Sequence, residues 1–383
     1  MKILIDVTRL VSRFMDGRLP TGVDRVGLAY VRHYGVRAQA VVRWAGRLWV
    51  LPRVQSAALF AWLANPVDSR GAVWIITRGI MAGGWLQDVA GSILLNTGHT
   101  GLHESAYVTM LCKLGVHPVF LVHDLIPITH PEYCRAGEDE KHRRRMQHVL
   151  TLGCGVVAIS QATLNDLSQF AAQLQLPMPP AVVGLLAPGP AHCVASTRPV
   201  AEPYFVVLST IEPRKNHVLL LQVWRRLVEQ YGEHAPRLVV IGQRGWECEN
   251  VVDLLERCAV LKGVVIELAD CSDAVLVNYL HHAQALLFPS FVEGYGMPLV
   301  EALALGLPVI ASDLEVFHEI AADIPEYIDP LDGLRWAERV MDYAQPNSES
   351  RAAQLQRISH FKTPAWADHF AKVDALLEVV GNA

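Results

Sequence analysis

Short apolar runs alternate with helix-length amphipathic segments along this chain, and the alternation is played through twice. A run such as "YFVVL", residues 204–208, is too short for a helix and too uniformly apolar for a sheet with one wet face. It suits a parallel strand covered on both sides. The segment His217–Tyr231 then places Leu220, Leu221, Trp224, Leu227 and Val228 at helical spacing. Repetition of that pair is the βαβ pattern of α/β domains. In the first series strands are expected at Lys2–Val7, Ala72–Ile76, Ser92–Leu95, Pro118–Val122, Gly155–Ile159 and Ala181–Leu186. Helices are expected at Gly22–His33, His103–Leu114, Asp139–Leu152 and Gln161–Leu174. The second series gives strands at Tyr204–Leu208, Leu238–Ile241, Val264–Leu268, Ala285–Phe288, Pro308–Ala311 and Glu326–Ile328.

Between the series lies a stretch carrying Pro188, Pro190, Pro199 and Pro203, which can continue neither a helix nor a central strand. It reads as a linker at about 188–203. A length of 383 residues exceeds one ordinary core. The expected plan is therefore a first Rossmann-like domain over 1–190 and a second over 204–362. A final helix over 363–383 is expected to be capped by Thr363, with Pro364 at its first position. Two such sheets in tandem bind ligand outside the carboxyl ends of their strands, in the cleft between them.

Composition excludes several classes. No apolar stretch reaches the roughly 18–20 residues of a membrane span, and Asp6 interrupts the opening "MKILIDVTRL" too early for a secretory signal. The seven cysteines include no C-x-x-C pair, so free thiols in a reducing cytoplasm are expected and no zinc site. The net charge of −5 conceals an asymmetry of +7 over residues 1–200 and −12 over 201–383. A positive first half suits an anionic partner such as a membrane surface or a lipid phosphate. Nucleic acid is not expected, because the basic residues are not interleaved with aromatics.

Five stretches carry chemistry. "FPSFVEGYGMPLVEA" sets Glu293 and Glu301 in apolar company, a costly place for carboxylates without partners. Gly294 and Gly296 let the backbone approach a ligand. Pro298–Leu305 reads as a short helix whose N-terminus is an anion site, with Glu301 in its first turn. "LSTIEPRKNH" places Arg214 and Lys215 at a strand-to-helix turn, the wrong helix end for cations unless they serve an anion. A guanidinium fork beside an ammonium suits a diphosphate. "VFLVHDLIP" ends a strand on His123 and Asp124, and "LNTGHTGLHES" offers Asn96 and His99 as lining residues. "LPTGVDRV" puts Gly22 at a helix start, where backbone amides meet phosphate. No D-x-D, no G-x-x-x-x-G-K-[ST] and no G-x-G-x-x-G occurs, so charge on a bound diphosphate would be met by protein donors rather than a metal.

"STIEPRKNH", "GQRGW", "FPSFVEGYGMPLVEA" and "LGLPVIASD" resemble the donor-binding half of family 4 retaining glycosyltransferases of GT-B fold. "TGVDRV", "VHDLIP" and "AISQATLNDL" resemble that family's acceptor half, and "TIEPRKN" is most similar to the form found in bacterial surface-polysaccharide mannosyltransferases. The resemblance implies two Rossmann-like domains facing across a cleft, with the last helix crossing back to the first. It implies a nucleotide-sugar substrate, GDP-mannose in preference to a UDP- or dTDP-sugar, with no cofactor and no metal. The acceptor it implies is a lipid-diphosphate-linked saccharide, met by a cytoplasmic protein peripheral at the inner membrane. Glu301 would hold the ribose, Glu293 the donor sugar, Lys215 the diphosphate, and Gly22 would lie by the distal phosphate. His123 would stand near the reacting carbon. Gly294, Tyr295, Gly296, Met297 and Pro298 would line the donor, and Asp270 and Cys271 the nucleobase. Many relatives carry Arg five residues before the lysine; that position here is Thr210, and Arg214 would supply the charge. A sugar-nucleotide epimerase or a non-catalytic binding protein of the same fold is the more distant alternative.

Overall fold

The strands are rich in Val, Ile and Leu; the inner strands of each sheet are buried, as parallel strands lying under helices must be, and the edge strands are mostly half-buried. A computed structural model describes residues 2–18, 20–65, 68–83, 88–189 and 197–382. It divides into two units: Met1–Ile128, Gly137–Leu186 and Ala365–Ala383 form unit 1, while Thr129–Ala136 and Ala187–Pro364 form unit 2. Part of the expected linker, 190–196, lies outside the described residues.

Unit 1 holds a seven-stranded sheet. Its strands are β1 (Ile3–Asp6), β2 (Ala38–Trp44), β3 (Arg47–Val50), β4 (Ile93–Asn96), β5 (His117–Val122), β6 (Gly155–Ala158) and β7 (Ala181–Val183), in the order β3-β2-β1-β4-β5-β6-β7. All pairs are parallel except β2 with β3. That hairpin was not expected from the sequence. Its two-residue turn, Ala45 and Gly46, has positive φ at both positions, as a tight hairpin requires, and Ala is a poor advertisement for it.

The expected strand Ala72–Ile76 is instead the middle of a helix, Ser69–Met81. Its Val, Trp and Ile residues favour strands locally. The buried set Ala72, Ile76 and Gly79 nevertheless follows the helical period, and the Asp68 carboxylate caps the first turn through the Gly71 amide at 2.7 Å.

Unit 2 holds six parallel strands: β8 (Tyr204–Leu208), β9 (Arg237–Ile241), β10 (Val265–Leu268), β11 (Leu286–Phe288), β12 (Val309–Ser312) and β13 (Glu326–Ile328). Their order is β10-β9-β8-β11-β12-β13. Phe205, Val207, Leu238, Val240 and Leu287 alternate onto one face and pack with Trp224 and Trp336 from the covering helices. In each sheet the chain first builds outward on one side and then returns to build on the other. Strand order therefore reverses between β1 and β4 and between β8 and β11, the positions where open α/β sheets form their binding crevices.

The last helix, Trp366–Gly381, belongs to unit 1. It starts with Ala365 at its cap, not Thr363, so Pro364 stands outside the helix. Its His369 lies against Gly184, where a β-carbon would come 2.6 Å from the ring. The ring Nδ1–H donates to Leu185 O at 3.2 Å, and Nε2 accepts from the Tyr30 hydroxyl at 2.9 Å. Phe370 stacks on His33 with centroids 3.9 Å apart.

Candidate functional site

In unit 2 the loops after β8 and β11 are tied together at the reversal point. The Phe291 amide donates to Arg214 O at 2.8 Å. Asn216 takes a left-handed backbone, φ 55°, and its carboxamide donates to Pro289 O at 3.2 Å and Pro330 O at 2.8 Å. These ties bring the expected charges into one cluster. Glu212 accepts from Arg214 Nε at 2.7 Å, Arg214 Nη1 donates to one Glu293 oxygen at 2.9 Å, and Lys215 Nζ pairs with the other. Lys215 is 8% exposed and Glu212 5%, so neither belongs to a solvated surface pair. Burial pushes the Glu293 carboxyl up, but the charges of Lys215 and Arg214 outweigh it and hold it at about 2. Burial lowers the Lys215 pKa and raises that of Glu212. Glu212 was not singled out from the sequence. Its signal was a glutamate two residues before the Arg-Lys pair, in the loop that leaves a buried strand.

Gly296 opens the helix Met297–Ala304 with φ +119°, and a β-carbon there would stand 2.8 Å from the Phe317 ring, so only glycine fits. Pro298 occupies the second helical position. The amides of Leu299 and Val300 already reach Gly296 O at 3.0 and 3.3 Å, which reduces the donors the helix end can offer an anion. Because the helix begins at Met297, Glu301 lies in its second turn rather than its first. Tyr295 is buried, and Gly294 precedes it in the loop that follows Glu293. Asp270 and Cys271 lie at the end of β10, two strands from β8.

A second aromatic layer was not legible in the sequence. Tyr133, from the excursion Thr129–Ala136, stacks flat on Phe291 with centroids 5.1 Å apart, two residues from Glu293. Arg135 lies 5.1 Å over the Trp246 ring.

Unit 1 builds its own polar group where β1 meets β4. The Asn96 side-chain oxygen accepts from the amides of Gly98 (3.2 Å) and His99 (2.9 Å), and its nitrogen donates to the Tyr107 hydroxyl at 3.0 Å. That hydroxyl donates to the buried Asp6 carboxylate at the end of β1. Three histidines gather beside it. Nε2–H of His99 donates to Leu121 O at 2.6 Å, that of His123 to Thr97 O at 2.7 Å, and that of His142 to Asp124 O at 3.0 Å. The His99 ring stands 5.5 Å from His123 and 5.9 Å from His142. Burial lowers all three pKa values, so the rings are neutral at pH 7. With Nε2 protonated, Nδ1 of His123 is the nitrogen able to accept a proton.

The Asp124 carboxylate accepts from the Ile126 amide at 3.1 Å and caps a turn. Gly22 starts its helix behind a cap in which the Thr21 amide and hydroxyl both donate to Asp24, at 2.8 and 2.6 Å. Asp24 is 1% exposed and receives Arg9 Nε and Arg13 Nε, each at 2.8 Å. Sequence reasoning missed this Asp24–Arg9–Arg13 group. Asp6, Arg9, Asn96, Thr97 and Gly98 border a cavity of about 10 Å³. Among the described residues no three His, Cys, Asp or Glu side chains are arranged to hold a metal ion, and no helix is long and apolar enough to cross a membrane.

Residues 194–327, which include both tied loops, match the family model described as glycosyl transferases group 1. Among similar curated proteins is the serotype-specific mannosyltransferase WbdA of Escherichia coli, 26% identical over 283 residues, covering 69% of this chain and 34% of WbdA. The O-antigen chain mannosyltransferase B of Escherichia coli is 30% identical over 163 residues, covering 43% of this chain and 42% of that protein. The chain thus spans about a third to two-fifths of the length of these relatives. Among solved structures, Anabaena HepE in complex with UDP-glucose superposes with a TM-score of 0.64 at 15% identity, over 100% of both chains. The trehalose-6-phosphate synthase OtsA gives 0.63 at 12%, over 100% of this chain and 99% of OtsA. Likeness at that identity establishes the fold: two Rossmann-like α/β units of the GT-B class.

Proposed function

We propose that this group 1 domain protein is a retaining hexosyltransferase that moves mannose from GDP-mannose onto a lipid-linked saccharide in surface-polysaccharide synthesis, peripheral to an anionic membrane. The observation that carries the reading is the Arg214–Lys215 pair held on Glu293 at the β8/β11 reversal point. The names of the Escherichia coli relatives, all mannosyltransferases, support the sugar.

The chemistry follows from charge. As the sugar–phosphate bond breaks, its electron pair passes to the diphosphate oxygen and the sugar becomes oxocarbenium-like. Cations preplaced at the leaving group lower that barrier, and such electrostatic help commonly outweighs every other contribution to catalysis. Lys215 and Arg214 take this role by exchanging part of their Glu293 partnership for phosphate oxygens, with the positive end of the helix Met297–Ala304 as the third contributor. The exchange releases a Glu293 oxygen to accept from the sugar's hydroxyls, and Glu301 holds the ribose diol. Protein donors meet the diphosphate charge, so no metal is required. The acceptor hydroxyl attacks from the face the phosphate leaves. Its proton passes to the departing phosphate oxygen, and His123 orients the acceptor.

Thermal-shift measurements with GDP, UDP, dTDP and their sugars test the donor, because stabilisation follows affinity by mass action. GDP and GDP-mannose are expected to stabilise most. Preference for UDP or dTDP would assign another donor to the same loops. Lys215→Ala and Glu301→Ala are each expected to abolish transfer in a folded protein, and transfer is expected to survive EDTA. Full activity in Lys215→Ala would overturn the diphosphate assignment.

A further inference from the structure

Between Asp24 and Asp88 the sequence has a single carboxylate, Asp68, against eight arginines. Within this stretch the helices Arg53–Ala64 and Ser69–Met81 pack against each other in unit 1. Gly79 lies against Leu51 and Gln55, and Gly71 against Trp62, so the pair runs antiparallel. Ser56, Leu59, Phe60 and Leu63 of the first and Ala72, Ile76 and Gly79 of the second are buried.

The outward face is the unusual one. On the second helix Arg70, Trp74, Thr77, Arg78 and Met81 recur at helical spacing and all are exposed. Trp74 is 59% and Met81 82% exposed, and Val54 on the first helix is 76% exposed. Trp74 and Met81 stand two turns apart on one side of the helix, with Thr77 and Arg78 between them. A water-facing surface seldom places its largest apolar side chains this way. The only carboxylate of the stretch is occupied in capping its helix. Arg47, Arg53, Arg70 and Arg78 are exposed and form no ion pair among the described residues, whereas Arg37 and Arg43 have Asp374 and Glu104. Arg78 lies 4.6 Å over the Trp74 ring, keeping its charge at the rim of the apolar side chains.

We infer that the outward face of these two helices is a docking surface for an anionic lipid bilayer, with Trp74 and Met81 entering the headgroup boundary and Arg53, Arg70 and Arg78 meeting lipid phosphates. Exposed Trp and Met side chains flanked by arginines are the chemistry of a helix lying in that boundary. Long arginine stems let the charges stay at headgroup level while the apolar atoms sink below. A second copy of the chain is the poorer occupant. A two-fold contact on this face would set Arg70 and Arg78 against arginines with no carboxylate to answer them. The inference deepens the proposed membrane-side acceptor and rests on that reading for its purpose, but it is measured apart from transfer.

The test is flotation of the full chain with vesicles of phosphatidylcholine alone and of phosphatidylcholine mixed with phosphatidylglycerol. Wild type is expected to float with the anionic vesicles, to remain behind with the neutral ones, and to release as salt rises. Arg70→Glu with Arg78→Glu is expected to weaken binding more than about tenfold. Trp74→Ser should weaken it with unaltered salt dependence. Stabilisation by GDP should be the same in all variants, so failure of the donor reading shows in the thermal shift and failure of the docking surface shows in flotation. Wild type that ignores anionic vesicles, equal binding to both compositions, or variants that float like wild type would each overturn the inference. So would self-association abolished by Trp74→Ser without any vesicle binding.

Discussion

Glu293 accepts from both Lys215 and Arg214, so an anion that reaches these cations must compete with a carboxylate already in place. Glu293→Gln is therefore expected to separate two quantities. Nucleoside diphosphate affinity, measured by calorimetry, should hold or rise as the competitor disappears, while transfer falls at least about a hundredfold. Stability should drop by roughly 3 kcal/mol, because Lys215 is left buried beside a weaker partner. The same pairing sets an acid limit. With its folded value at about 2, below the ordinary carboxylate range, Glu293 contributes stability that is fully present above about pH 4.5 and fades as pH falls toward 2. Glu212, raised by burial, works in the opposite direction. Urea unfolding across that range, wild type against Glu293→Gln, should show the acid slope reduced in the variant. At this scale the sequence was legible where a charge stood in apolar company, as Glu293 and Lys215 do. It was silent on Asp24 and Tyr133, whose partners come from elsewhere in the fold.

Secondary elements were readable where a run matched one period without ambiguity. The runs at Tyr204–Leu208 and Glu326–Ile328 are strands at the expected residues, and His217–Tyr231 is the expected helix. The stretch "AVWII" misleads because five residues are too few to separate the two periods when all but the alanine favour a strand. The terminal helix shows what an element depends on once placed. Gly184→Ala would drive a methyl into the His369 ring, and a loss of about 2 kcal/mol is expected. Hydrogen exchange should localise it to Trp366–Gly381. Burial depresses His369 to about 4, so the unfolded chain takes up its proton first as pH falls. Stability contributed by the neutral ring is complete above about pH 6.5 and lost on acidification toward 4. His369→Gln is expected to flatten that part of a stability–pH curve. In the segment Thr129–Ala136 of unit 2, Tyr133→Ala should raise the Michaelis constant for donor more than it lowers turnover, and Tyr133→Phe should restore it, because the stack on Phe291 needs a ring and no hydroxyl.

At the scale of the molecule, apolar periodicity and the proline-rich stretch suffice to anticipate two α/β sheets, since each buried strand must be covered by helices from its own series. They do not reveal that the chain passes between units four times, at 128/129, 136/137, 186/187 and 364/365. Pairing across such distances depends on contacts that no local pattern encodes. An excised segment 187–364 would lack Tyr133 and Arg135, and its thermal midpoint should lie below that of unit 2 within the whole chain, as differential scanning calorimetry would show. The crossing at 364/365 also bears on biosynthesis. The sheet of unit 1 is covered on Gly155 and Gly184 by a helix that the ribosome makes only after all of unit 2. During translation the earlier-made unit must wait, with that face open, for the later-made one to be finished. A nascent chain stalled before residue 365 should bind a hydrophobic-surface dye or a holdase chaperone that the released protein ignores.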